Sequence, residues 1–184
     1  MFNNKDFILY KRAAYSQEGC DHAIRFFEKR IDLQRAGTHG DRLNPDDKKC
    51  CEIFLKRNEY TLFEDMLQGC MREYVKKYSS VQRMQRWDLS SIFKMQRYYP
   101  GEGYFIEHCE NSGSDDDIRR VLAWMVYLND VTDGGYTKFP NQNRKFQPRR
   151  GDVLMWPAYF THSHCGVTSK TQTKYIVTGW CTFK

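Results

Sequence analysis

The chain carries five histidines, and three of them lie in two short segments of the C-terminal half. His108 precedes Glu110 by two residues, and a second segment holds His162 and His164. On a β-strand the side chains at positions i and i+2 project from the same face, so an imidazole and a carboxylate can reach one metal ion. The spacing therefore predicts that the two segments bind a metal.

The donor set narrows the choice of metal chemistry. Two histidines and one carboxylate on one side of an ion leave positions open for other ligands, which suits a non-haem Fe(II) site. A structural zinc site would instead be closed by four ligands, and His162, Cys109 or Cys165 could complete it. Spacing alone also permits a third interpretation, in which His108 is an ordinary strand histidine and the His-Ser-His run is an exposed loop.

Two amphipathic helices are predicted in the N-terminal part of the chain. Ser16 is a candidate N-cap for the first, whose apolar residues recur at helical spacing as far as Ile31. The second helix is predicted from the broad apolar stripe between residues 62 and 75. We expect both helices to pack against a core without chemistry of their own.

From Ile92 onward the pattern changes to short aromatic and β-branched runs. Three such runs, at residues 122–128, 153–156 and 175–180, alternate with clusters of turn residues. Short strands at this spacing favour an antiparallel sandwich or barrel, with the helices buttressing one sheet. The predicted class is therefore mainly β with packing helices.

Length and composition set wider bounds. With 184 residues the chain is expected to form a single domain. The net charge of +6 comes from dispersed basic pairs, which are typical of a solvated surface, so a nucleic-acid partner is not expected. The seven cysteines form no C-x-x-C pair, and neither a signal peptide nor a membrane span is visible. We expect a cytoplasmic protein with free thiols and no membrane partner.

Several motifs follow one another in the second half of the chain. They are YPGEGY (99–104) with HCE (108–110), YLNDV (127–131) with GGYTKFP (134–140), PRRGDVLMWP (148–157), HCG (164–166) and KYI (174–176). In this order they resemble the prolyl 4-hydroxylase-like branch of the Fe(II)/2-oxoglutarate dioxygenases. The resemblance spans residues 93–180, about half of the chain.

The resemblance implies a fold and a set of metal ligands. The fold would be a double-stranded β-helix, or jelly roll, in a single domain with a helical support region at 1–80 and a catalytic core at 90–184. His108, Glu110 and His164 would hold Fe(II), with His162 as the alternative distal ligand. The family carries Asp where this chain has Glu110, so the ligand is longer by one methylene group.

The resemblance also implies a cosubstrate pocket. Lys174 would pair with the distal carboxylate of 2-oxoglutarate, and a buried lysine without an anion would be energetically costly. Tyr99 would contact the cosubstrate through its hydroxyl group. Tyr127 and Thr137 would line the same pocket.

The activity implied is that of a procollagen-proline 4-dioxygenase-like hydroxylase. Such an enzyme couples oxidative decarboxylation of 2-oxoglutarate by O₂ to hydroxylation of a prolyl residue in a peptide or protein, with ascorbate as the expected reductant. A small-molecule substrate is an open alternative, because loop changes redirect the same chemistry. The alternative function is a non-catalytic jelly-roll or cupin-like module that binds a metal or a small acid.

Overall fold

The structure is a computed structural model that describes residues 6–40, 43–115 and 117–184. Residues 1–5 and 41–42 belong to the predicted support region and lie outside the described residues, as does residue 116 of the predicted core. Among the described residues, no helix combines the length and the apolar composition needed to cross a membrane.

The described residues form twelve strands and two α-helices. The strands are β1 (Leu9–Lys11), β2 (Arg35–Ala36), β3 (Lys48–Lys49), β4 (Cys51–Lys56), β5 (Trp87–Tyr98), β6 (Gly103–Tyr104), β7 (Arg120–Tyr127), β8 (Thr137–Phe139), β9 (Arg144–Phe146), β10 (Val153–Pro157), β11 (Cys165–Gly166) and β12 (Lys174–Phe183). The helices are α1 (Gln17–Lys29) and α2 (Glu64–Lys77), and short 3₁₀ turns cover Ile31–Leu33, Ser79–Arg83 and Phe160–His162.

The main sheet is antiparallel and has seven strands in the order β1-β10-β7-β12-β5-β4-β2. A smaller sheet, β11-β8-β9, and the pair β3-β6 stand apart from it. At the centre of the main sheet Ile176 of β12 is paired with Tyr127 of β7 on one side and with Gln96 of β5 on the other. The predicted runs at 122–128, 153–156 and 175–180 thus correspond to three neighbouring strands.

Both helices pack against one face of the main sheet. Phe27 of α1 and Leu67 of α2 belong to the same buried cluster as Met95, Val126 and Val177 of the central strands. The predicted cap is confirmed, since the Ser16 hydroxyl accepts a hydrogen bond from the Gly19 amide at 3.0 Å. The expectation that helices buttress one sheet is therefore confirmed.

A second buried cluster lies on the opposite face. Tyr127, Trp156 and Ile176 of the main sheet pack there with Phe139 and Phe146 of the smaller sheet. Two sheets that share one apolar layer form the sandwich expected of a jelly roll. Strand β7 is buried at every position after Arg120, because both of its faces are covered.

Two local expectations differ from the structure. The predicted helical support region also contributes strands, with β1 at one edge of the main sheet and β4 and β2 at the other. The short run of β4 lacks strict alternation, and its pairing with β5 is a long-range contact that local patterns do not reveal. His108 and Glu110 do not lie on a regular strand, because the segment makes only an isolated bridge between His108 and His164.

Candidate active site

His108, Glu110 and His164 meet at one point, with ligand atoms that all lie within 4.8 Å of one another. Oε1 of Glu110 is 3.4 Å from Nε2 of His164 and 3.8 Å from Nε2 of His108. The two segments are joined by backbone hydrogen bonds, from the His108 amide to the His164 carbonyl at 3.0 Å and back at 2.8 Å. Backbone pairing between the two segments therefore assembles the cluster. The sequence predicted instead that the i and i+2 spacing on one strand would do so.

Each imidazole is oriented by a nearby carbonyl. Nδ1 of His108 is 3.1 Å from the Ile106 oxygen, and Nδ1 of His164 is 3.0 Å from the His162 oxygen. A carbonyl oxygen only accepts hydrogen bonds, so each Nδ1 must carry the proton. Both Nε2 lone pairs are then free to face the centre of the cluster, the tautomer that metal ligation requires.

The carboxylate of Glu110 is held by a tryptophan. Nε1 of Trp180 donates a hydrogen bond to Oε2 of Glu110 at 2.8 Å, and Arg120 donates to the Glu110 backbone carbonyl at 2.8 Å. Burial opposes ionisation of Glu110, but its contacts with His108 and His164 outweigh burial and hold the pKa of this carboxyl well below its usual range. Burial, with a contribution from His164, lowers the pKa of His108 to about 4.

These donors fit a divalent cation. Two imidazole nitrogens and one ionised carboxylate oxygen converge from one side, which is the donor set of an open Fe(II) site. Within the part of the chain that the structure describes, no fourth His, Cys, Asp or Glu joins this group. The Cys109 thiol instead bonds the Asn111 carbonyl at 3.2 Å. The described residues therefore do not form a closed four-ligand zinc site.

His162 lies in a different environment from His164. Its Nε2 is 2.9 Å from the Asp6 carbonyl oxygen, and its Nδ1 is 3.0 Å from the Thr161 hydroxyl. Both ring nitrogens are thus engaged away from the cluster. His162 connects the N-terminal segment to the Phe160–His162 turn.

The cluster opens into a cavity of about 880 Å³, which Lys174 also lines. Lys174 is buried, and its Nζ donates a hydrogen bond to the Gly135 carbonyl at 3.0 Å. Burial lowers the pKa of this amine to about 8. No carboxylate of the described residues forms an ion pair with it. The cavity therefore contains a buried cation without a protein counter-ion.

The structure corrects the prediction for Tyr99. Its side chain is 48% exposed and lies beneath the Arg97 guanidinium, whose Cζ is 4.4 Å from the ring centroid. The neighbouring Tyr98 is buried, lines the cavity and donates a hydrogen bond to Oε1 of Gln96 at 3.1 Å. Tyr98 is the last residue of β5 and Tyr99 follows it, so the side chains of the two neighbours point in different directions and only that of Tyr98 reaches the pocket.

Thr137 and Tyr127 have unequal access to the cavity. Thr137 lines it, whereas Tyr127 is fully buried behind it. The Tyr127 hydroxyl oxygen lies 2.7 Å from Oγ1 of Thr137 and 3.2 Å from the Phe146 carbonyl oxygen, and its single O–H donates to one of these two acceptors at a time. Tyr127 therefore contacts Thr137 from behind and does not itself line the cavity.

Two further residues support the cluster, and sequence reasoning did not assign them these roles. Trp180 lies 70 residues from Glu110 in the sequence, so no local pattern indicates its contact with the carboxylate. Tyr104 stacks on His108 with ring centroids 3.6 Å apart and planes 18° apart, and its hydroxyl bonds Nδ1 of His39. The short spacing from Tyr104 to His108 was the only available signal for this contact.

The fold and the site define a class. In this jelly-roll sandwich, two histidines and one carboxylate lie at the wall of a cavity that a buried lysine also lines. These features are typical of a metal-dependent jelly-roll protein that binds an anion. The family model described as the 2OG-Fe(II) oxygenase superfamily matches residues 93–182. Residues 93–182 of this chain therefore resemble the 2OG-Fe(II) oxygenase superfamily.

Individual relatives agree with that assignment. A candidate prolyl 4-hydroxylase of Acanthamoeba polyphaga mimivirus is 29% identical over 111 residues, covering 51% of this chain and 46% of the relative. The match thus spans about half the length of this curated relative.

Solved structures of low sequence identity share the fold. The viral collagen prolyl hydroxylase of Paramecium bursaria Chlorella virus-1, in its 2OG complex, has a TM-score of 0.75 at 20% identity, with 100% of both chains covered. A Trichoplax adhaerens prolyl hydroxylase in complex with a hypoxia inducible factor peptide fragment has a TM-score of 0.73 at 15% identity, with 97% of this chain and 84% of that one covered. These likenesses establish the jelly-roll fold.

Proposed function

We propose that the protein is an Fe(II)- and 2-oxoglutarate-dependent hydroxylase that acts on a prolyl residue of a peptide or protein. The observation that carries the proposal is the position of the His108, Glu110 and His164 cluster in the same cavity as Lys174, a buried cation without a counter-ion. The match of residues 93–182 to the superfamily model and the names of the relatives support the substrate class.

The three ligands would hold the metal in an open site. Bound Fe(II), with O₂ and 2-oxoglutarate as cosubstrates, supplies the chemistry that yields succinate, CO₂ and a hydroxylated product. His108 and His164 present unprotonated Nε2 atoms, and Glu110 presents Oε1 while Trp180 holds Oε2. The protein donors occupy one side, so the other side is left for the cosubstrates and the target C–H bond.

The Lys174 end of the cavity would bind 2-oxoglutarate. The distal carboxylate of the cosubstrate would supply the counter-ion that Lys174 lacks, and its burial in the low-dielectric cavity strengthens the pair. The Tyr98 hydroxyl and Thr137, which Tyr127 holds in place, are the polar groups nearby that orient the carboxylate. We propose ascorbate as the reductant that returns oxidised iron to Fe(II).

The test is anaerobic titration of the Fe(II)-loaded protein with 2-oxoglutarate, followed by succinate analysis in air with proline-containing peptides. Wild type is expected to show a weak visible charge-transfer band and to form succinate. His108→Ala is expected to lose both signals. Lys174→Ala is expected to need a far higher concentration of 2-oxoglutarate to reach the same absorbance change. Tight binding of zinc without any 2-oxoglutarate response would instead favour a non-catalytic binding module.

A further inference from the structure

The cavity extends beyond the cluster of His108, Glu110 and His164 along the face of the main sheet. On β5, Tyr98, Gln96, Lys94 and Ile92 all line it at intervals of two residues. Lys94 lies four residues from Tyr98, about 13 Å along an extended strand. We call the part lined by Arg35, Phe54, Lys94, Arg120 and Trp180 the outer cavity.

Cations dominate the outer cavity. Arg120 is partly neutralised, because Asp117 lies 3.4 Å away and the Glu110 carbonyl accepts one of its hydrogen bonds. Arg35 forms no ion pair with any acidic side chain of the described residues. Asp117 is the only acidic lining residue among the described ones apart from the metal ligand Glu110. An anionic ligand would therefore find an excess of positive charge.

Lys94 is only weakly compensated by its nearest carboxylate. Oε1 of Glu52 is 3.9 Å from the Lys94 Nζ, whereas Oε2 of Glu52 binds Lys48 at 2.8 Å and Gln96 at 2.9 Å. One buried carboxylate is thus shared between two ammonium groups. Burial lowers the pKa of Lys94, as expected for a cation that lacks a full counter-charge.

The aromatic rings of the outer cavity position these cations. Cζ of Arg35 is 3.5 Å and Nζ of Lys94 is 4.6 Å from the centroid of the Phe54 ring, and Lys94 also lies 5.6 Å from the Trp180 ring. The guanidinium of Arg120 covers Trp180 at 3.9 Å. Because guanidinium groups occupy ring faces, the outer cavity presents charge more than the open stacking platforms that nucleic-acid bases need.

We propose that the outer cavity binds a carboxylate side chain of the peptide substrate, so that the protein prefers targets with Asp or Glu close to the hydroxylated residue. The inference rests on the proposed function. Trp180 contacts the ligand Glu110 and lies beside Lys94, which places the anion site next to the metal. The acidic residue should therefore lie within about three residues of the target, a span of about 10 Å in an extended peptide.

The test compares the binding of two fluorescent peptides that share a central proline. The acidic peptide has Asp and Glu at the flanking positions, and the neutral peptide has Asn and Gln at the same positions. Binding to the Fe(II)- and 2-oxoglutarate-loaded protein is measured by anisotropy without O₂. The acidic peptide is expected to have a Kd about tenfold lower than that of the neutral peptide, because one charge-assisted hydrogen bond contributes a difference of about this size. The difference should shrink as salt is raised.

The matched variants are Lys94→Met, Arg35→Gln and Lys76→Met, the last at an exposed position of α2. The first two should each reduce the preference for the acidic peptide, and Lys76→Met should retain it. Circular dichroism and thermal melting verify folding. Equal binding of the two peptides to the wild type would overturn the inference, as would a preference that survives in Lys94→Met combined with Arg35→Gln.

Two other results separate the possible failures. If a single-stranded oligonucleotide binds more tightly than the acidic peptide and depends on Lys94, the outer cavity recognises nucleic acid and the inference is wrong. If the acidic peptide is preferred but 2-oxoglutarate is not converted to succinate with any peptide, the proposed activity fails and the charge preference stands. If succinate forms equally with both peptides and both bind equally, only the inference fails.

Discussion

Nε1 of Trp180 donates a hydrogen bond to Oε2 of Glu110 at 2.8 Å, which leaves Oε1 facing the two histidines. This hydrogen bond fixes the orientation of the Glu110 carboxylate, with one oxygen anchored by β12 and the other facing the histidines. The neighbouring Arg120 bond to the Glu110 carbonyl restrains the backbone of the same residue.

Removing the Trp180 donor should weaken metal binding. Trp180→Phe keeps the ring but loses Nε1–H, so Glu110 is freed to rotate. We expect Fe(II) affinity to fall by about 10–100-fold, the usual effect of a lost partner of a metal ligand. Competition with a chelator measures the affinity.

Trp124→Phe is the matched control for that change. Trp124 is buried, its Nε1 has no hydrogen-bond partner among the residues that the structure describes, and it packs in the cluster on the helix side of the sheet. Its replacement should leave the metal affinity unchanged. Equal losses in the two variants would show that Trp180 acts only through general stability.

The two histidines of the His-Ser-His run should behave differently. His164→Ala removes a proposed ligand and should lower Fe(II) affinity by about 100-fold, whereas His162→Ala should leave it nearly unchanged. His162→Ala should instead lower the free energy of unfolding by about 1–3 kcal/mol, because its bond to the Asp6 carbonyl is lost. Chelator competition and urea unfolding measure the two effects. The opposite pattern would make His162 the distal ligand.

The adjacent tyrosines offer a similar pair. Tyr98→Phe should raise the Kd for 2-oxoglutarate by about tenfold, because a hydroxyl that lines the cavity is removed. Tyr99→Phe alters a side chain at the surface and should have no effect on this Kd. Anaerobic titration measures both, and a larger effect at Tyr99 would contradict the side-chain positions described above.

Lys174 should make 2-oxoglutarate binding depend on pH. Burial lowers its pKa to about 8, and the cationic form binds the carboxylate, so affinity should fall as pH rises through about 8. The Kd measured from pH 6.5 to 9.5 tests this. In Lys174→Met the affinity should be low at every pH, and a wild-type Kd that stays constant over this range would refute the role of Lys174.

The same shift predicts an effect on stability without 2-oxoglutarate. Between about pH 8 and 10.5 the unfolded chain binds the Lys174 proton more strongly than the folded chain does, so stability should rise with pH in this window. At pH 7 Lys174→Met should be more stable than wild type by up to about 3 kcal/mol, because a buried cation is removed. Lys170→Met, at an exposed position, should show no gain.

Local patterns were sufficient for much of the molecule. The Ser16 cap and the apolar stripe of α2 depend on neighbours within four residues, so both helices could be predicted from sequence. The runs of β7, β10 and β12 were visible for the same reason. The types and order of the chemical motifs pointed to the superfamily and to a His, Glu, His set before any contact was known.

Only the tertiary structure decided which of these residues meet. The bridge from His108 to His164 and the bond from Trp180 to Glu110 join segments separated by 56 and 70 residues. Strand register placed Tyr98, and not Tyr99, in the cavity, since side chains alternate along a strand. Sequence by itself therefore determined the local elements and the candidate chemistry. Long-range pairing decided the geometry, because it depends on packing between segments that no local pattern encodes.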